Sequence, residues 1–441
     1  MLMKVVSSYK IGIKGIDNQF NNIFKYTIDI YRKAVKFYIH LINNEWDLFK
    51  NIKGNGCVII AEGLSHKTEA HPNPKYNFDS KFYKMPSYLR RGAINKAFGI
   101  VSSYKSNYAN WEANKQGREP KLQYNHLCMP TFYYHNMYEG DCHSASGKIK
   151  VFDGNDWVWK KINFKSQDLK YLKKYWSGKK AKAPVLEYSY GKYSLRFAFE
   201  EQSKLRKTDI EDQLILSVDL GINTDATCSV MDSKGTVYKR IFINAPYEKD
   251  LLQHRINRIK KYQRIHGSKN VRSQWSHINN LNKQISRIVA KRIVETAILY
   301  DVDAIIFEHL NITGSKTQRI HLWRKKEIQN MTEHQAHRNG IHVYRINPKN
   351  TSALAFDGSG AVERDNNNYS ICTFSNNKRY NCDLSASYNI GARYFIRELL
   401  KPLPATVVSD IGAKVPNILY RTKTTLSTLI SLRGVLNSLT V

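Results

Sequence analysis

The sequence predicts a chain of mixed class: an all-α part and a small β-barrel in the first half, then an α/β domain. Three observations predict it. Apolar residues recur at helical spacing from about 15 to 114, and they alternate with polar ones between glycine turns from 121 to 200. After 213, apolar runs of strand length end on carboxylates.

Residues 1 to about 12 read as one strand with no local partner. From about 15 to 50, Phe20, Ile23, Phe24, Tyr26, Ile28, Ile30, Tyr31, Ala34, Phe37 and Leu41 mark a single long helix, whose apolar face is core. A polar loop at 66–85, with Pro72 and Pro74, leads to a helix from Met85 to about Asn114. That helix carries Arg90, Arg91, Lys96 and Lys105, a basic face that is either solvated or turned to a polyanion. Gly117-Arg-Glu-Pro120 breaks it. Alternating segments follow: 131–134, 147–152, 157–160, 185–190 and 193–199. They read as a small barrel into which the N-terminal strand pairs. Lys173, Lys174, Lys179, Lys180 and Lys182 form a basic cluster between strands, beside Tyr171, Tyr175 and Trp176.

Leu214 to Val218 is apolar enough for a strand buried on both faces, and Asp219 ends it. A buried carboxylate is costly unless something positive neutralises it. Gly221 and the Asn223-Thr224-Asp225 cluster precede a second apolar run into Met231. Asp232-Ser-Lys-Gly235 turns the chain, and 236–243 is a third strand. Strand, acidic residue, hairpin, strand is how an RNase H-like sheet begins. Val302 to Glu308 is another buried strand ending in a carboxylate, and Asp383 stands where a helix starts. Taken singly, Asp219 also reads as a turn cap, Glu308 as a solvated strand-end charge and Asp383 as a helix N-cap. Together they fit one sheet. Three carboxylates converge stably only around divalent cations, and two Mg²⁺ (or Mn²⁺) ions about 3.5–4 Å apart make a phosphodiester-cleaving site.

Between these strands, about 247–300 is helical and strongly basic, with Arg255, Arg258, Lys260, Lys261 and Arg264 before a break at Gly267. It reads as a helical hairpin. A helix at 318–338 and a strand at 341–346 follow. The stretch 347–382 is Asn- and Gly-rich with little periodicity; a helix then runs from Leu384 to about Leu400, and Pro402 and Pro404 stop it. The tail 401–441 has no assignable place.

The 441 residues carry 69 Lys+Arg against 37 Asp+Glu, a net charge of +32. Such an excess implies a polyanion partner held through phosphate contacts. The 28 Tyr and 17 Phe add stacking capacity. No apolar run approaches the roughly 20 residues of a membrane span, and the N-terminus lacks a signal-peptide apolar region. The six cysteines include no CxxC pair, which suits a reducing cytosol.

Asp-Leu-Gly-Ile at 219–222, Phe-Glu-His-Leu-Asn at 307–311 and Asp-Leu-Ser-Ala-Ser-Tyr-Asn-Ile at 383–390 resemble the three RuvC motifs of TnpB proteins. These are RNA-guided nucleases of bacterial insertion sequences, similar to miniature type V CRISPR effectors. Leu-Arg-Arg-Gly-Ala-Ile-Asn-Lys-Ala-Phe at 89–98 resembles a helix of that family's recognition lobe. The resemblance implies a wedge barrel from 1–12 and 121–207, an inserted recognition domain at 13–120, and a RuvC nuclease domain at 208–400. Asp219, Glu308 and Asp383 would be the catalytic metal ligands. Guide RNA and target double-stranded DNA would be the partners, with Arg90, Arg91, Asn95, Lys96, Lys260 and Lys261 among the nucleic-acid contacts. It further implies a bacterial cytoplasmic, nucleoid-associated protein, monomeric or homodimeric. One departure stands out. The family's four-cysteine zinc ribbon would lie within 347–382, where only Cys372 and Cys382 occur. Two cysteines do not hold a tetrahedral zinc, so no structural zinc is expected. The competing functions are a nuclease-inactive RNA-guided regulator and an unguided RuvC-like recombinase or resolvase.

Overall fold

The computed structural model describes residues 2–52, 54–69, 71–189, 191–267, 271–309, 319–365, 368 and 370–439, with backbone alone at 319–324 and 439. The chain forms two compact units, Val6–Glu201 and Met1–Val5 with Gln202–Val441.

The first unit opens with β1 (Leu2–Lys14) and α1 (Asn18–Asn44), which starts where the Asp17 carboxylate accepts the Phe20 amide at 2.7 Å. Helices α2 (Trp46–Phe49), α3 (Gly56–Ser65) and α4 (Ser87–Asn114) follow. The predicted single helix over 15–50 therefore breaks near Glu45, and α3 lies in a stretch the sequence pattern left unassigned. Ile28, Tyr31, Val35 and Tyr38 of α1 and Leu89, Ala93, Ala97 and Val101 of α4 are buried at helical spacing. They share one continuous core with sheet residues such as Ile149, Val151, Leu195 and Phe197.

That sheet has six strands: β2 (Tyr138–Glu139), β3 (Ser146–Phe152), β4 (Trp157–Phe164), β1, β6 (Lys192–Lys204) and β5 (Val185–Ser189), in this spatial order. The N-terminal strand finds its partner in β4, Ile13 opposite Phe164. The segment 130–138 bridges the two edges. Phe132 N donates to Pro184 O at 2.8 Å and Leu186 N to Pro130 O at 3.0 Å, while Tyr134 pairs with Tyr138. The expected strand at 131–134 is thus a pair of isolated bridges.

The Lys173–Lys182 cluster is not wholly a loop between strands. Its first part belongs to α5 (Ser166–Trp176), which buries Leu169, Leu172 and Trp176 on one face. Lysines at the other positions hide that short apolar stripe, and Lys173 and Lys174 in the last turn complement the helix dipole.

The second unit is built on β7 (Leu214–Asp219), β8 (Ala226–Asp232), β9 (Val237–Ile243), β10 (Ala304–Glu308) and β11 (His342–Ile346), in the order β11-β10-β7-β8-β9. The first three form an antiparallel meander, and β10 runs parallel to both β7 and β11. Alternate residues enter different cores. Leu216, Val218, Ile305 and Phe307 meet the long helix α7 (Arg272–Leu299), which with α6 (Pro246–His266) forms the helical hairpin. Ile215, Ala304 and Ile306 meet α9 (Cys382–Leu400) on the other face. Burial on both sides is why these strands read as unbroken apolar runs. Helix α8 (Arg319–Arg338) precedes β11.

The low-periodicity stretch holds a three-stranded sheet, β12 (Glu363–Arg364), β13 (Ile371–Thr373) and β14 (Arg379–Asn381). Strands of two or three residues are too short to show an alternation. The unplaced tail forms α10 (Ala405–Lys414), a 3₁₀ turn at Pro416–Leu419 and α11 (Leu426–Leu439). Ile411, Val415, Ile418, Leu426, Leu429 and Leu432 complete the core around α9. Among the described residues, no helix is long and apolar enough to cross a membrane.

Candidate active site and nucleic-acid contacts

Asp219 is the last residue of β7, and Glu308 is the last of β10. Phe307 lies opposite Val218 in the parallel register, so the two carboxylates leave the sheet side by side. Helix α9 brings the third. It starts under an Asn381 cap, whose side-chain oxygen accepts the Leu384 amide at 2.9 Å. Asp383 is therefore not the helix cap. Close approach of α9 to the sheet depends on its small residues. Ser387 hydrogen-bonds Ser229 of β8, and a Cβ on Gly391 would collide with Met231 and meet Ser217 Cβ at 3.2 Å. A Cβ on Gly221 would lie 2.5 Å from Thr224 O, with the Asp383 carboxylate 3.8 Å away, so the turn after β7 is as tight as the site beside it.

All three carboxylates are half-buried and keep a face to solvent. Burial, then the charges of Glu308 and Asp383, push Asp219 up to about 8; Lys325 and Arg364 oppose this without cancelling it. Burial also raises Glu308, against the Thr351 hydroxyl, Lys325 and Arg393. Asp383 is raised by burial too, with Arg364 and Lys325 pulling the other way. Burial is the first cause in all three and the cationic neighbours do not cancel it, so the three acids resist ionising together unless a cation joins them. The donor atoms of the three are not all within 4.8 Å of one another.

Sequence reasoning assigned no role to the side chains that hold Glu308. Thr351, 2% exposed, donates its hydroxyl to Glu308 Oε1. Thr351 is held in turn by Asn389 on α9, whose Nδ2 donates to Thr351 O at 3.0 Å and Leu354 O at 2.9 Å. The Asn389 carbonyl accepts the Leu426 amide of the tail at 3.2 Å. One turn on, buried Arg393 donates to Asn347 O, Lys349 O, Thr422 O and Thr424 O, and burial lowers its guanidinium to about 10. The tail and the 347–354 loop are tied to the helix that carries Asp383. The signal available in the sequence was one-turn spacing, Asn389 and Arg393 at i, i+4, within the otherwise apolar stretch Tyr388–Ile396.

The nucleic-acid residues separate. Arg90 is withdrawn from any binding surface. It is 7% exposed, and Nε and Nη2 donate to Glu62 Oε1 at 3.1 and 2.9 Å. Its position on the inner face of α4, beside Leu89, Ala93 and Ile94, dictates this. Arg91 is exposed but also paired with Glu62, at 3.3 Å. Asn95 and Lys96 are exposed and line a groove of about 530 Å³ with Tyr104, Lys121 and His126. Lys260 and Lys261 are exposed on α6. Leu310 and Asn311 of the second motif lie outside the described residues.

Residues 7–153 match the Aq_aa04 family. An uncharacterized protein of Aquifex aeolicus (strain VF5), aq_aa04, is 33% identical over 105 residues, 21% of this chain and 57% of that protein. The chain thus spans little more than half of that relative's length. The structure of CasPhi-2 (Cas12j) bound to crRNA and phosphorothioate-DNA aligns with a TM-score of 0.53 at 10% identity, over 88% of this chain and 91% of the other. The mini-RNA-guided endonuclease CRISPR-Cas_phi3 aligns at 0.50 with 11% identity, over 88% and 92%. The two units therefore share the fold of these effectors. At such identity the likeness is one of fold.

Proposed function

We propose that the protein is an RNA-guided DNA endonuclease with its active site at Asp219, Glu308 and Asp383, acting in the cytoplasm on nucleoid DNA. The observation that carries this reading is the uncompensated carboxylate centre at the strand ends and the start of α9. In this reading the second unit is a RuvC-type nuclease domain, and the first combines a wedge-like sheet with a recognition-type helical part. Solved structures of the shared fold include one bound to crRNA and DNA, and the charge of +32 suits such partners.

The donor set fits hard divalent cations. Every ligand atom is a carboxylate oxygen, and burial makes each acid a better host for a cation than for its own negative charge. Bound there, the ions would supply Lewis-acid activation of a phosphodiester and of the attacking water. The protein's own side chains set the stage. Thr351 fixes one oxygen of Glu308, while Lys325 and Arg364 would add positive potential where a phosphate enters. The segment 347–382 needs no zinc in this account, because its strands close over an apolar cluster of Ala355, Cys372, Phe374 and Cys382.

The reading is tested by co-expressing the protein with its neighbouring genomic sequence, sequencing the co-purified RNA and changing the RNA's guide segment. Cleavage is expected to move to the new complement beside the same short flanking motif. Cutting that stays in place, or continues after the RNA is stripped away, would favour an unguided recombinase.

A further inference from the structure

The turn between β2 and β3 contains a second, unrelated cluster of ligating side chains. Asp141, Cys142 and His143 are consecutive, and one donor atom from each lies within 4.8 Å of the others. The backbone makes this possible. Gly140 has φ +144°, and a Cβ there would meet Gly147 Cα at 3.1 Å and the Tyr138 hydroxyl at 3.1 Å. Ser144 N closes the turn on Asp141 O at 3.1 Å.

Several polar atoms at this turn are buried at a cost. Among the described residues neither ring nitrogen of His143 has a hydrogen-bond partner, although both are shielded from solvent. The Tyr138 hydroxyl, on a residue 0% exposed, is also unpartnered and lies within electrostatic reach of Cys142 and Asp141. A buried polar atom left without a partner loses its hydration with nothing in return. The Cys142 thiol is 1% exposed and bonded to the Asp141 carboxylate, and burial with that bond pushes it up to about 12. Asp141 itself is exposed, so the cluster opens to solvent on one side.

We propose that Asp141, Cys142 and His143 form a transition-metal site, taking Zn²⁺ through one carboxylate oxygen, one thiolate and one imidazole nitrogen, and pinning the β2–β3 hairpin. The mixed O, S, N donors suit a borderline cation such as zinc and not Mg²⁺. Three protein ligands leave a fourth position for water on the exposed side. Binding replaces the thiol proton, which is released to solvent, with the metal. The site is independent of the nuclease reading. It also places zinc where the sequence, judged by its missing ribbon cysteines, suggested none.

The test uses the full-length chain, stripped with a chelator and titrated with Co²⁺ as the spectroscopic probe. A thiolate-to-cobalt charge-transfer band is expected to saturate at one cobalt per chain and to vanish on Zn²⁺ addition. The band is expected to be absent in Cys142→Ser and His143→Ala, and retained in Cys372→Ser and Cys382→Ser. Zn²⁺ is further expected to raise the Tm of the wild type but not of Asp141→Asn/His143→Gln, which guards against a Cys142 variant that fails to fold. No band, or a band that survives in Cys142→Ser or His143→Ala, would overturn the proposal and leave a turn whose polar atoms are satisfied by water.

Discussion

Cys382 and Asp383 are neighbours in the first turn of α9, yet they serve opposite environments. Cys382 is 1% exposed and joins an apolar cluster with Ala355, Cys372 and Phe374 beneath the three-stranded sheet. Asp383 faces two other carboxylates and is raised by burial. The Cys372 thiol, pushed up to about 12 by burial and by its contact with Cys382, stays neutral and packs as a small hydrophobe. One side of the turn thus supplies packing energy, and the other carries an electrostatic strain that the packing offsets. Where the resemblance implies a four-cysteine ribbon, an apolar cluster anchors the helix start instead.

The widest gap between the two sides is expected on substitution. Asp219→Ala, Glu308→Ala and Asp383→Ala are each expected to lower metal-dependent DNA cleavage by on the order of 10³-fold or more. Asp219→Ala and Asp383→Ala should leave metal-free stability near wild type or higher, because each removes a carboxyl that burial disfavours, whereas Glu308→Ala also loses the Thr351 hydrogen bond. Gel-based cleavage assays and thermal melts on the same samples check both halves. Near wild-type cutting by Asp383→Ala would remove it from the site.

On the apolar side, Phe374→Ala is expected to destabilise by about 3–5 kcal/mol, since Phe374 is 2% exposed. Denaturant titration measures the loss. A change below about 1 kcal/mol would mean the cluster does not anchor the helix.

The strain itself has a pH signature. The folded-state pKa of Asp219 is raised to about 8 from an unfolded value of about 3.9. Folding therefore favours the protonated form. The contribution is fully present below the unfolded pKa and is lost as pH rises through the folded one. The metal-free Tm is expected to fall between these limits by on the order of 10–20 °C, about four pKa units at roughly 1.4 kcal/mol each and roughly 2–4 °C per kcal/mol. Mg²⁺ is expected to restore it near neutral pH, and Asp219→Asn to flatten the profile.

The smallest effect sharpens the role of Thr351. Thr351→Val keeps the shape but removes the hydroxyl on Glu308. A charge-assisted hydrogen bond of about 1.5–3 kcal/mol predicts a cleavage rate roughly 10- to 100-fold lower, with Thr351→Ser close to wild type. Equal rates for both variants would show that Glu308 needs no such hold.

Much of this was legible because its signals are local. An apolar strand buried on both faces is an unbroken run, so β7 and β10 and the carboxylates at their ends stand out in Leu214–Asp219 and Ala304–Glu308. Long amphipathic helices such as α1 and α4 repeat their pattern often enough to be seen. Net charge is additive and needs no fold, which is why a polyanion partner could be inferred at once.

Tertiary structure decided what depends on which face a residue occupies or on distant partners. Arg90 reads as a surface cation, but helical phase turns it inward onto Glu62. The tail has no strong pattern of its own, and its leucines acquire a place only against α9. Thr351 and Asn389 are ordinary polar residues until hydrogen bonds across 38 and 43 residues of chain link them to Glu308. The sequence determined the long, strongly patterned elements and the charges, because propensity and apolar periodicity act over a few neighbouring residues. Only packing could decide which polar groups meet, because burial and electrostatic coupling depend on through-space distance and not on separation along the chain.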